Sequence, residues 1–214
     1  MKDRGVQSRK RYLAAFLIGT GIFLLIFLLS YSLSYLEFQR ITNLQGDIAY
    51  GIFEDKLDYS LFSQTNCSEE VYRQVSEDLG FQGRIIDDLE NKLGKDNQEV
   101  NFRKRFYSLI ELEHFEFVKT LNTKCNSNIT TIFFFYSNQP EFVEGGETVG
   151  RLLEIISKRH PEDLVIYSFD VDLESELIEK LKYRYNVGGA HTLIINERDK
   201  LINPQGFLEI ERYL

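Results

Sequence analysis

Cys67 and Cys125 carry the most reactive side chains in this chain of 214 residues, and they are its only thiols. They lie far apart, and neither belongs to a Cys-x-x-Cys pair, the spacing that sets a thiolate beside a second thiol for disulfide exchange. In an oxidising compartment, two thiols in an otherwise Cys-free region most simply form one disulfide. Two buried free thiols are the alternative, because cysteine packs as a small apolar residue. Metal ligation has poor support: His114, His160 and His191 are scattered, and no two ligand types sit at short helical spacing. Asp170, Asp172 and Glu174 lack the spacing of a calcium loop and read as a solvated turn that caps a following helix. The string Glu144-Gly145-Gly146-Glu147 opens a helical stretch, where backbone N–H groups can hold an anion. Its own carboxylates oppose that, so it reads as a flexible turn. Arg103, Lys104 and Arg105 read as a solvated face. These patterns imply no metal and no cofactor.

The first element that must position these groups is a run without charge from Tyr12 to Leu36. A bilayer core of ~30 Å is crossed by ~20 apolar residues rising ~1.5 Å each, so the run is a membrane span. Lys2, Arg4, Arg9, Lys10 and Arg11 precede it against Asp3 alone, whereas Glu37 and Arg40 behind it nearly cancel. Cationic flanks stay on the cytoplasmic side, which makes 1–11 a cytoplasmic tail, 12–36 the span and the remainder extracytoplasmic. Tyr12, Tyr31 and Tyr35 suit the headgroup region. A signal peptide cleaved near Ser30-Tyr31-Ser32 or Ser32-Leu33-Ser34 is the competing reading, but the run exceeds the ~7–15 residues of a signal core. The expected location is therefore the cell membrane, with a single pass.

The chain carries 25 basic and 33 acidic residues, a net −8. The first eleven residues hold five of the basic and one of the acidic ones, which leaves the rest at −12. Such a domain repels nucleic acid and anionic lipid, because phosphate binding needs clustered Lys and Arg. Its 17 Phe and 12 Tyr are ample for a packed core.

Residues 37–126 read as a helical segment. Ile41, Leu44, Ile48 and Ile52 share one helix face, a stalk that packs on the domain or forms a homodimer seam, though Gly46 and Gly51 weaken it. Asn66-Cys67-Ser68 with Glu69 and Glu70 reads as a helix start. That helix is expected to end near Gly80, with a turn at Gly83 and a second short helix over 84–93 closed by Gly94. A longer helix from Asn97 to about Leu121 offers Val100, Phe106, Leu109, Ile110, Phe117 and Leu121 for burial. A Cys67–Cys125 bond would tie the start of this segment to its end. Asn66-Cys67-Ser68 and Asn128-Ile129-Thr130 also fit the glycosylation triplet, a pattern too common to decide anything.

From 127 the pattern changes. The β-prone run 131–137 leads through a loop containing Pro140, Gly145 and Gly146 to a helix with Val149, Leu152, Leu153 and Ile156, stopped at His160-Pro161. A strand over 164–169, a helix over 173–185 and strands over 192–195 and 200–202 follow, before a short terminal helix with Phe207, Ile210 and Leu214. This β-α-β-α-β-β-α order predicts an α/β domain over 127–214 with its strands buried by helices.

That order resembles the thioredoxin fold, and so do two strings. Tyr167-Ser168-Phe169-Asp170-Val171-Asp172 resembles the family's second strand and Asp-Val-Asp turn. The string Tyr185-Asn186-Val187-Gly188-Gly189-Ala190-His191-Thr192-Leu193 resembles its Tyr-x-Val-x-Gly-x-Pro-Thr-Leu segment. With the anchor and helical segment, the chain is also similar to membrane-anchored thioredoxin-like proteins of archaea. Two departures bear on function. Where the resemblance implies Cys-x-x-Cys, the chain has Pro140-Glu141-Phe142-Val143, and where it implies a cis-proline, the chain has His191. A non-proline cis bond costs ~3 kcal/mol, so a trans bond is expected there.

Neither Pro140 nor Val143 can supply a thiolate, so the dithiol cycle is excluded at that site. A histidine facing a helix N-terminus could move a proton, but no nucleophile accompanies His191. The resemblance thus implies a redox-inactive, membrane-anchored thioredoxin-like module that binds a protein partner outside the cytoplasm. Its groove would run along Pro140, Glu141, Phe142, Val143, Gly189, Ala190, His191 and Thr192. The alternative is an oxidoreductase that uses Cys67 and Cys125 as a non-local redox pair.

Overall fold

With no charge to solvate, the run after Arg11 is helical throughout. Helix α1, Arg11–Leu36, has 26 residues, which at ~1.5 Å each is about 39 Å. It is long and apolar enough to cross a membrane, and its side chains are all exposed. The computed structural model describes residues 9, 11–36, 67 and 69–214. The Ile41, Leu44, Ile48 and Ile52 stripe, with the homodimer seam it would form, lies outside the described residues, as does Asn66. The chain divides into two units, Met1–Gly51 and Ile52–Leu214.

In the second unit, helix α2 runs Glu69–Leu93 without interruption. The expected break at Gly80 and turn at Gly83 are absent, because Gly83 serves packing instead of termination. A Cβ there would stand 2.9 Å from the Tyr107 hydroxyl of the next helix. Gly94, at φ +91°, does end α2. Helix α3, Gln98–Lys124, starts where the Asn97 side chain accepts the Glu99 N–H at 2.9 Å. Cys67 and Cys125 form a disulfide with Cα atoms 5.5 Å apart, tying the start of α2 to the end of α3.

The remaining elements are β1 (Thr130–Tyr136), α4 (Pro140–Arg159), β2 (Leu164–Asp170), α5 (Glu176–Arg184), β3 (Thr192–Ile195), β4 (Asp199–Ile202) and α6 (Phe207–Glu211). The strand order is β2-β1-β3-β4. β1 pairs parallel with β2 in the register Phe133↔Tyr167, and antiparallel with β3 in the register Phe133↔Ile194. β3 and β4 are antiparallel. As a central strand, β1 is buried on both faces, which is why its sequence is apolar without alternation. Phe133, Phe135, Tyr167 and Phe169 face α2, α3 and α5, while Ile132, Phe134, Leu193 and Ile195 face α4 and α6. The helical hairpin and the sheet therefore share one core.

One boundary differs usefully from expectation. α4 begins at Pro140, so Gly145 and Gly146 are helical rather than in a loop. Proline suits the first helical turn, where its missing N–H is unneeded.

Candidate functional site

The first turn of α4 and the loop entering β3 meet through His191. Its Nε2–H donates to the Phe142 carbonyl at 2.7 Å, and its ring lies edge-on to that of Phe142, 6.0 Å between centroids. A Cβ on Gly145 would fall 2.3 Å from the His191 ring, so the glycine makes room for the imidazole. His191 is buried at φ +60° with a trans peptide bond. Proline's ring fixes φ near −65° and cannot take that conformation. The imidazole bolts the loop to α4 and does not face solvent. The Thr192 hydroxyl donates to the Gly189 carbonyl at 3.1 Å and steadies the same loop. Pro140, Glu141, Phe142 and Gly189 are exposed, and Val143 and Ala190 are half-buried. The residues expected to form a groove are thus brought together, with His191 filling the space between its walls.

Asp172 is exposed in a turn, as expected, but Asp170 is buried and neither residue caps the following helix. Asp172 accepts from the Ser137 hydroxyl at 2.6 Å, the Asn138 N–H at 2.9 Å and the Gln139 side-chain amide at 2.8 Å. Asp170 is buried and accepts from the Asn138 side-chain amide at 2.7 Å and from Lys104 Nζ at 2.9 Å. The two carboxylates at the end of β2 hold the β1–α4 loop and so set where α4 starts.

Lys104 corrects a second expectation. The reading of 103–105 as a solvated face fails for this residue, which is 5 % exposed. It pairs with Asp170 and Glu90 and lies 5.8 Å from the centre of the Tyr136 ring. Burial opposes its charge, but Asp170 and Glu90 outweigh that and hold its pKa above the ordinary value. Lys104, Ser108, Glu111 and His114 form a polar row along the buried side of α3. Glu111 accepts the Ser168 N–H at 2.7 Å, capping the outer edge of β2 that no described strand covers. Burial raises its pKa well above the carboxylate range, partly countered by that hydrogen bond. His114 binds the Tyr167 hydroxyl at 2.8 Å and the Ser76 hydroxyl at 3.0 Å, and burial lowers its pKa to about 4.

The sequence held one signal for this row. Val100, Lys104, Ser108, Glu111, Phe115 and Val118 follow one helical stripe. Leu109, expected inside, is instead exposed, and Phe106 and Ile110 are only half-buried.

At the other end of α3, the disulfide borders a cavity of about 280 Å³ lined by Tyr72, Leu121, Ile129 and Asp163, with Cys67 exposed. No protein-family model matches this chain, and no curated protein matches it either.

Proposed function

We propose that this chain is a single-pass membrane protein whose extracytoplasmic module has a thioredoxin-like fold and binds an extended polypeptide without thiol chemistry. The β-α-β-α-β-β-α order and the strand order β2-β1-β3-β4 support the fold reading. The observation that carries the binding reading is the pairing of an exposed aromatic with open backbone. Phe142 is 39 % exposed, and beside its turn of α4 lies the exposed Gly188-Gly189 loop, whose N–H groups enter no hydrogen bond among the described residues. An extended segment can pair with such backbone while an apolar side chain rests on the ring.

A photo-crosslinker at Gly189 is expected to capture polypeptide in intact membranes, with capture falling at least tenfold in Phe142→Ala. Equal capture from Lys158, at the far end of α4, or none from Gly189, would falsify the reading. The location has its own check: a cysteine at Glu174 should react with a membrane-impermeant maleimide on intact cells, and reaction only after lysis would place the module inside.

The rival reading, a redox pair, draws on the exposed Cys67 and the cavity beside it. Trapping of mixed disulfides with other proteins at Cys67 would favour it. A bond that resists the glutathione pool would remove it.

A further inference from the structure

Between α2, α3 and the outer edge of β2 lies a cavity of about 170 Å³. Its wall carries four carboxyl groups, Asp87, Glu90, Glu111 and Asp170, and a single cation, Lys104. Lys104 is already shared between Glu90 and Asp170. Among the described residues, Asp87 and Glu111 have no ion pair. Glu111 spends Oε1 on the Ser168 N–H, whereas its Oε2 is buried with no hydrogen-bond partner among the described residues. A buried carboxyl oxygen without a partner is costly, so a native site that keeps one calls for a missing donor. Asp87, exposed on α2, stands where the cavity reaches the surface.

We propose that this cavity binds a small organic cation with N–H donors, an ammonium or guanidinium group, whose charge is met by Glu111 and Asp87. The size fits: a cavity of ~150 Å³ accepts a molecule as large as benzene, so about six heavy atoms enter here. The charge fits as well, since the wall has an excess of carboxyls that opposes any anion. A metal ion suits the site poorly, because among the described residues no three Cys, His, Asp or Glu side chains converge as one needs. Burial strengthens the hold of both free acids on their protons, and the incoming cation takes the place of those protons. The same N–H chemistry is offered by a free amine and by a lysine or arginine side chain of a polypeptide.

The test is calorimetric titration of the full-length protein in detergent, in phosphate buffer free of amines, with butylamine, methylguanidine and the neutral control 1-butanol. Saturable one-to-one binding of the two cations and none of the alcohol is expected. Glu111→Gln keeps an acceptor for Ser168 and should weaken cation binding at least tenfold. Asp87→Asn, at the exposed mouth, should do the same and leaves the core untouched, so the test survives if the buried variant fails to fold. No saturable heat from either cation, equal binding of butanol, or unchanged affinity in Asp87→Asn overturns the proposal. A further arm separates the sources: N-acetyl-lysine amide binding as tightly as butylamine points to a polypeptide side chain, and its exclusion points to a free amine.

Discussion

Lys104 is a buried cation held by two carboxylates from different parts of the chain, Glu90 on α2 and Asp170 at the end of β2. Removing it leaves both acids short of a partner, and breaking a buried pair from one side costs about 3–5 kcal/mol. Lys104→Met should therefore lower unfolding free energy by about that amount in chemical denaturation. Adding Asp170→Asn should recover part of the loss, and additive losses would show that the two groups are not coupled. His114 makes a pH prediction of definite sign. Its folded pKa, about 4, lies below the ordinary 6.5, so the unfolded chain takes up the proton first as pH falls. The stability it protects is complete above pH 6.5 and declines towards pH 4, by about 3 kcal/mol in all. Glu111 works oppositely: its raised pKa means that stability is fullest below the ordinary carboxylate pKa and is lost as pH rises. Titrating stability between pH 4 and 6.5 in His114→Asn should show a slope shifted from that of the parent by the missing histidine. An unchanged slope would mean the ring is charged in the fold.

At the scale of elements, the glycines separate into three roles that look identical in sequence. Gly80 sits inside α2 with only the Arg84 guanidinium near, 3.6 Å from a built Cβ. Gly80→Ala should stabilise by up to ~1 kcal/mol through helix propensity. Gly94, at φ +91°, allows an L side chain only under strain, and Gly94→Ala should cost about 1 kcal/mol. A thermal melt of each variant distinguishes the cases, and a loss at Gly80 would restore the expected break in α2. Gly145 has the third role, clearance for the His191 ring. A glycine's meaning depends on what crosses it, so the stop at Gly94 was legible while the close approaches at Gly83 and Gly145 were not. Strand and helix order from β1 onward was legible throughout, because apolar runs and their stops are local.

For the whole folded unit, the disulfide closes a separation of 58 residues around the helical hairpin. Chain entropy alone assigns such a loop about 4 kcal/mol. Cys67→Ser with Cys125→Ser should lower the denaturation midpoint accordingly without abolishing the fold, since the hairpin also buries Tyr72, Leu79, Phe115 and Val118 against the sheet. Collapse of the hairpin's amide protection with the sheet left intact would instead show that the bond, not the shared core, holds it.

The sequence by itself determined the apolar run and the β-α-β-α-β-β-α order, because each follows from hydrophobic runs and periodicity over neighbouring residues. Tertiary structure alone decided that Lys104 and Glu111 point inward, that Asp170 and Asp172 hold the start of α4, and that His191 is a bolt. Burial of a charged side chain is favourable only when a partner meets it. For Lys104 the Asp170 partner is 66 residues further along the chain, beyond the reach of any local pattern.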